Sequence, residues 1–337
     1  MPEEIIHALG AVPFRMLGLS ETTENASSKL PSWVCSYARR IMEDGLRGKF
    51  DYVDGIVGAT SDDTKIHLYS VYNFYIKQPF SYLLQIPYVR DEDSQSFFTK
   101  ELGRLASKLS EYLSREFREE DLRRSVRIYN RFRELCGKLS SLRFEDAPKL
   151  SGSDWMKIML GSTSMLKEDF NHMAEEALER LREAEGLKNY KLRIHVSGTD
   201  FYDLELFNLI EELGGAIVSD DLCTATAYFT GPVREDGNLL RSLAERYLAS
   251  SACVLASQPE GLSLEDRISF IKRRVEESKA EAMIILRDRG CEVCGHQYPL
   301  ILEEFQDFPV LLLDVDVPLA VEQYRTRVEA FIEAHAG

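Results

Sequence analysis

The chain has little positive charge for its size. Its 337 residues include 41 Lys and Arg against 56 Asp and Glu, which gives a formal net charge of -15. Because phosphate backbones are bound by clustered Lys and Arg, this balance argues against a nucleic-acid partner. The arginines Arg123, Arg124, Arg127, Arg131 and Arg133 alternate with acids at helical spacing, so we interpret them as a solvated helix face.

Long apolar runs are also missing. No stretch is apolar enough to cross a bilayer, and no basic segment followed by an apolar one is visible at the start. We therefore expect a soluble, cytoplasmic protein with no membrane partner.

The sequence lacks the standard motifs of nucleotide and ester hydrolysis. It has no glycine-rich phosphate loop of either usual spacing and no G-x-S-x-G nucleophile elbow. Nucleotide hydrolysis by this chain is therefore not indicated.

Strand and helix patterns alternate at both ends of the chain and predict an α/β fold with parallel sheets. We expect an N-terminal α/β domain over residues 1–95, a helical segment over 96–188 and a C-terminal α/β domain over 189–337. Within this scheme the pattern predicts a helix over residues 2–10 and a short strand over 12–17.

A loop with two thiols follows a buried strand near the C-terminus. The strand ends in Ile284-Ile285-Leu286, the loop carries Cys291 and Cys294, and we expect a helix to open near Pro299 before a second strand at 310–314. In open α/β sheets, ligand sites form at the carboxyl ends of strands. The C-x-x-C spacing is typical of a zinc site, an iron–sulfur site or a redox pair, and His296 is a possible additional zinc ligand.

The remaining cysteines are Cys35, Cys136, Cys223 and Cys253. Cys35 lies in the first turn of a predicted helix, where a thiol pKa can be lowered. Cys136 and Cys253 lie on apolar stretches, and we interpret both as buried structural thiols. Cys223 follows Asp220-Asp221, acids that we interpret as helix caps or surface carboxylates.

Several segments occur in an order that is typical of one family. They are PEEIIHALGAVPFRMLG, WVCSYARR, DGIVGATSDDT, the long helix from SFFTKELGRL to FRELCGKL, GGAIVSDDLCT, and GCEVCGHQYP followed by FPVLLLDVD. Together they resemble the 2-hydroxyacyl-CoA dehydratase / benzoyl-CoA reductase family, D-component type, over nearly the whole chain.

The resemblance implies two Rossmann-like or flavodoxin-like parallel-sheet domains with an intervening helical segment. It also implies a cytoplasmic protein of an anaerobe, paired with a homologous sibling subunit, with a 4Fe-4S cluster held by three cysteines in the cleft between the domains. An ATP-dependent iron–sulfur activator would supply an electron for radical dehydration or reduction of an acyl-CoA thioester.

Carried over by position, Cys35 matches the first cluster ligand and Cys291 the third. The second falls on Ser61, whose hydroxyl is a far poorer iron ligand than a thiolate. Four interpretations stay open: Ser61 ligates weakly, Cys294 replaces it, the cluster is altered, or this chain is a structural partner subunit without a cluster. The resemblance also nominates Glu4 for a contact near the substrate thioester, although an acid in a first helical turn is equally typical of a helix-dipole contact.

Overall fold

Two parallel β-sheets organise the chain. The structure is a computed structural model that describes residues 1–248, 264–316 and 319–336. Strands β1 (Gly55–Ala59) and β2 (Phe80–Leu84) form a two-stranded sheet, and β3 (Leu192–Gly198), β4 (Gly215–Asp220), β5 (Ala282–Asp288) and β6 (Val310–Val315) form a four-stranded sheet in the order β4-β3-β5-β6. Every pairing is parallel. The predicted α/β fold with parallel sheets is confirmed.

Fourteen helices surround the sheets in the described part of the chain. They are α1 (Glu3–Ala8), α2 (Glu24–Ser27), α3 (Ser36–Leu46), α4 (Asp63–Tyr75), α5 (Glu92–Leu113), α6 (Glu119–Ser141), α7 (Gly152–Ser162), α8 (Lys167–Glu183), α9 (Leu204–Glu212), α10 (Thr226–Phe229), α11 (Leu239–Leu248), α12 (Leu264–Glu277), α13 (Glu292–Glu304) and α14 (Glu322–His335). Among them none is long and apolar enough to cross a membrane.

The middle of the chain forms the expected helical layer. The predicted apolar stripe of α6 is buried as a whole and consists of Leu122, Val126, Tyr129, Phe132 and Leu135. Cys136 lies on the same stripe and is buried, as predicted. Ser151 caps α7 by accepting a hydrogen bond from the Asp154 amide at 3.0 Å, which explains why that helix begins where the sequence predicted.

The basic face of α6 is only partly solvated. Arg123 and Arg131 pair with surface acids as predicted, whereas Arg133 is buried and forms an ion pair with Glu4 of α1. The prediction was therefore wrong for Arg133. A buried cation that is not fully hydrated requires a partner charge, and Glu4 provides it.

Two local predictions were wrong. Residues 12–17 form no strand, because the Arg15 amide donates to Thr163 O at 3.0 Å instead of joining a sheet ladder. Helix α13 begins at Glu292 and contains Pro299 in its interior. The Gly295 amide already donates to Cys291 O at 2.9 Å, so helical bonding starts at the two-thiol loop, and Pro299 removes only one later bond.

The two acids at the end of β4 are not surface carboxylates. Asp220 accepts hydrogen bonds from Arg143 and the Trp155 indole, each at 2.8 Å, and Asp221 accepts one from Arg267 at 2.7 Å. Both acids are buried. Asp220 also accepts a hydrogen bond from the Thr226 amide at 2.9 Å. Buried ion pairs here fix the loop that carries Cys223.

Helix α3 connects the N-terminal part of the chain to the four-stranded sheet. Tyr37 and Arg40 donate to the two oxygens of Asp203 at 2.7 and 2.8 Å. Ser36, at the start of the same helix, donates to Asp288 at the end of β5. The first turns of α3 are therefore held against the carboxyl end of this sheet. We refer to the junction of the two parts, where the partly exposed residues Cys35, Asp200 and Cys291 lie, as the cleft.

Candidate functional site

Cys35 and Cys291 come from distant segments of the chain and are brought near one another by Gly290, which contacts the Cys35 backbone. Cys35 is the N-cap residue of α3, and Cys291 immediately precedes α13. A Cβ atom built on Gly290 would lie 2.6 Å from Cys35 Cα and 2.8 Å from its amide nitrogen. Only glycine permits this approach between the two backbones. The structure therefore brings together two of the predicted site residues, which are separated by most of the chain.

Asp288 joins the two cysteine-bearing segments. One carboxylate oxygen accepts from the Ser36 hydroxyl at 2.6 Å, and the other accepts from the Gly290 amide at 2.8 Å. Each donor is the direct neighbour of a cysteine. Asp288 is buried, and this burial raises its pKa. No pattern in the sequence predicted this role of Asp288.

The surroundings of Cys35 keep its thiol protonated when no metal is bound. Burial, followed by the nearby charge of Asp288, raises the pKa of the Cys35 thiol far above its ordinary value. A Cys291 thiolate raises it further, so the two sulfur atoms influence one another electrostatically. The Ala38 amide, in the first turn of α3, acts in the opposite direction. Binding a metal here would therefore release protons.

Ser61 follows β1 and its hydroxyl is already engaged. It donates to Asp62 Oδ2 at 3.1 Å, while Asp62 Oδ1 accepts from the Lys65 amide at 2.8 Å and caps α4. The Lys65 ammonium lies 2.8 Å from Asp62 Oδ2. At the position where the resemblance implies a thiol, the chain thus has a hydroxyl that belongs to a helix cap.

Asp200 forms ion pairs with two cations at the same cleft. It follows β3, accepts from Arg15 Nη2 at 2.7 Å and lies 3.7 Å from Lys65 Nζ. The two cations lower the pKa of Asp200, and its charge in turn raises the pKa of both Arg15 and Lys65. Arg15 also donates to Cys223 O at 3.1 Å. Side chains from both halves of the chain therefore form one charged cluster beside the thiols.

The other candidates are placed as follows. Cys223 is half-buried in the loop after β4, and His296 is exposed on α13. The side chain of Cys294 and the whole of Cys253 lie outside the described residues.

Glu4 is fully buried beneath the helical layer. One of its oxygens pairs with Arg133, and the other accepts from the Tyr247 hydroxyl at 3.0 Å. Desolvation alone would raise the pKa of Glu4, but Arg133 and Arg246 outweigh it and lower the value. Both oxygens therefore hold α1 in place.

The two thiols fit the thiolate part of an iron–sulfur site. They lie at or just before the N-termini of α3 and α13, where helix dipoles stabilise negative charge. Within the described residues no three His, Cys, Asp or Glu side chains are grouped closely enough to hold a metal ion on their own. A further ligand would have to come from a residue such as Cys294 or Ser61.

Local sequence patterns identify the thiols but not the residues that join them. Asp288 ends a buried strand and Gly290 follows two residues later, which is an ordinary pattern for a strand-end turn. Nothing in that pattern indicates that their partners are Ser36 and Cys35. Only the tertiary contact reveals it.

Comparison with known proteins identifies the family. The chain matches the family model of 2-hydroxyglutaryl-CoA dehydratase, D-component, over residues 1–334. It is 25% identical to a benzoyl-CoA reductase subunit of Thauera aromatica over 309 residues, covering 90% of this chain and 79% of that protein. It is 24% identical to the beta subunit of (R)-2-hydroxyglutaryl-CoA dehydratase from Acidaminococcus fermentans, covering 99% and 90%. It is also 21% identical to the (R)-phenyllactyl-CoA dehydratase beta subunit of Clostridium sporogenes, covering 98% and 88%.

These relatives are subunits of lyases or of an oxidoreductase that act on acyl-CoA compounds. The match with the family model extends from the first residue through the two-thiol loop to the last helix. The chain belongs to the 2-hydroxyglutaryl-CoA dehydratase D-component family.

Proposed function

We propose that this chain is an iron–sulfur subunit of an enzyme that dehydrates a 2-hydroxyacyl-CoA or reduces an acyl-CoA of the benzoyl type. Its partners would be a homologous sibling subunit and an ATP-dependent activator in the cytoplasm of an anaerobe. The observation that carries the proposal is the meeting of Cys35 and Cys291 across the cleft, which Gly290 permits and Asp288 holds.

Cys35 and Cys291 would hold a 4Fe-4S cluster, with Cys294 or Ser61 as a further ligand. When bound, such a cluster supplies single electrons at a low potential. The part played by the protein is to hold the half-buried thiols, to fix their spacing through Asp288, and to stabilise the added negative charge with the N-termini of α3 and α13.

Lys65 and Arg15 would act on the substrate side of the cleft. Both are partly exposed cations held in place by Asp200, so they are accessible to a ligand while their geometry is fixed. A positive charge fixed before the reaction stabilises negative charge that develops on a thioester oxygen. The proposed contribution of Glu4 is indirect, because its buried carboxylate holds α1 against α6.

Anaerobic purification followed by iron and sulfide analysis tests the proposal. We expect iron and acid-labile sulfide in the wild-type protein and an EPR signal after reduction. The variants Cys35→Ala and Cys291→Ala should lose most of the iron, whereas Cys136→Ala, a buried thiol of α6 outside the cleft, should retain it. An iron-free wild-type protein, or equal iron in all variants, would contradict the proposal.

Ser61 favours a second candidate function, in which this chain completes the complex without a cluster of its own. Its hydroxyl is used in the cap of α4 and is a poor iron ligand. In that case Cys35→Ala and Cys291→Ala would leave the activity of the assembled enzyme unchanged. The same pair of variants therefore separates the two functions.

A further inference from the structure

Helix α4 carries several large apolar side chains but is covered on only one side. Exposed apolar patches are typical of surfaces that bind another protein. Its inner face packs on α3, yet Tyr72 is its one fully buried residue. The uncovered side of α4 therefore exposes apolar surface that a single chain does not bury.

Exposed aromatic side chains cluster on that uncovered side. Phe74 is 74% exposed and packs edge-to-face with Tyr75 at a ring distance of 5.0 Å. Trp33, which is 45% exposed, packs in the same way against His67 at 5.1 Å. The Lys29 ammonium lies 5.0 Å from the Tyr75 ring. We refer to Lys29, Trp33, His67, Phe74 and Tyr75 as the α4 surface.

The local charge differs from that of the rest of the chain. Residues 64–86 contain no Asp or Glu, although the chain as a whole carries a net charge of -15. Lys29 and Lys77 give this region positive charge instead. A strongly acidic protein repels another acidic protein over most of its surface, so an aromatic face that is poor in acids is where association costs least.

The α4 surface is continuous with the cleft. Trp33 lies two residues before Cys35, and Lys65, in the first turn of α4, belongs to the charged cluster around Asp200. A protein that covers the α4 surface would therefore lie close to Cys35 and to the charged cluster around Asp200.

We propose that the α4 surface is the docking site for the homologous sibling subunit. This inference rests on the proposed function, because the relatives that match the chain are themselves named subunits. Aromatic residues are the usual anchors of protein interfaces, and the sibling would place apolar side chains against Phe74 and Tyr75 and acidic ones near Lys29 and Lys77. Docking would close the cleft beside Cys35.

The double variant Phe74→Ser/Tyr75→Ser tests the docking site. Trp33 is left unchanged because it adjoins Cys35, so iron content stays an independent readout. The matched control is Met173→Ser, which removes a 58% exposed apolar side chain from α8. Each form of the full-length chain is co-expressed with its sibling subunit, and the mass of the purified species is measured by light scattering. Circular dichroism confirms that each variant is folded.

We expect the wild type and the control to form a complex of about twice the 38.5 kDa chain mass and the double variant to be monomeric, with affinity reduced at least about tenfold. An unchanged complex in the double variant would overturn the proposal. A wild-type chain that forms its own dimer through Phe74 and Tyr75 and excludes the sibling would overturn it as well. Absence of iron with a normal complex would count against the proposed function alone, since mass and metal are measured separately.

Discussion

Gly290 touches the backbone of Cys35 so closely that no side chain fits between them. Replacing it with alanine places a Cβ 2.6 Å from Cys35 Cα, and neither atom can move away by rotation of a side-chain bond. The two backbone segments must then separate.

We predict that Gly290→Ala lowers the free energy of unfolding by about 1–3 kcal/mol, as overpacking usually does. It should also reduce the iron content of the anaerobically purified protein. Thermal unfolding and iron analysis measure the two effects. Gly295→Ala is the control, because a Cβ there meets no atom of the described residues within 4 Å and alanine favours the helix. Equal losses in both variants would contradict the close contact as the cause.

Acidification should destabilise the protein through His195. This histidine is fully buried in β3, its Nδ1 bonds with the Ser219 hydroxyl at 2.8 Å, and its Nε2 has no hydrogen-bond partner among the described residues. Burial lowers the pKa of His195 from 6.5 to about 4, even though Asp221 and Asp220 act in the opposite direction. Between these values the unfolded chain binds a proton that the folded chain does not.

The contribution of the neutral His195 to the free energy of unfolding is therefore fully present above pH 6.5. It is lost as the pH falls toward 4, and the loss amounts to about 3 kcal/mol at most. Denaturant unfolding at several pH values measures the slope. His195→Asn, which can still bond to Ser219, should flatten the curve in this window. Acids whose pKa is lowered by ion pairs, such as Asp220, change the pH dependence of stability only at pH values below this window.

Removing the charge of Arg143 should leave a buried carboxylate without its ion partner. Arg143 and Asp220 are both buried, and Arg143 Nη2 lies 2.8 Å from Asp220 Oδ2. We predict that Arg143→Met destabilises the protein by about 3 kcal/mol, because breaking one side of a buried pair costs more than the pair itself contributes. Chemical denaturation measures this loss.

The double variant Arg143→Met/Asp220→Asn should recover part of the stability that Arg143→Met loses, since no uncompensated charge remains. A double variant no more stable than the single one would mean that the hydrogen bonds of Asp220 to Trp155 and Thr226, rather than its charge, dominate.

Glu4→Gln separates an indirect role of Glu4 from direct contact with substrate. Glutamine keeps the shape but removes the charge that neutralises the buried Arg133. We predict a loss of stability of about 1–3 kcal/mol. Enzyme activity should fall only in proportion to the folded fraction. A variant with wild-type thermal stability and strongly reduced kcat would instead assign Glu4 to the substrate site.

The sequence predicted what local patterns can encode. The stripe of α6, the cap of α7 and the strand before Cys291 depend on periodicity and capping, and each was found where expected. Residues 12–17 have the alternation of a strand but no neighbour in a sheet, so tertiary contacts decided their structure.

The site itself was only half predictable. Cys35 and Cys291 were found through their segments, but the fact that they meet depends on a glycine contact and a carboxylate that no spacing rule identifies. Arg133 was assigned to a solvated face, and Asp220 to a helix cap or the surface, because charged side chains usually lie there; the structure pairs each with a buried partner instead.

Helix α3 determines whether the chain can be cut into fragments that fold independently. It lies early in the chain, yet Ser36, Tyr37 and Arg40 satisfy Asp288 and Asp203, which come much later. A fragment cut between α3 and β3 would leave Asp203 and Asp288 without the hydrogen-bond donors that α3 supplies. Limited proteolysis in the connecting helices should therefore release no autonomous half, and pairs of separately produced fragments should regain the cleft only if they reassociate.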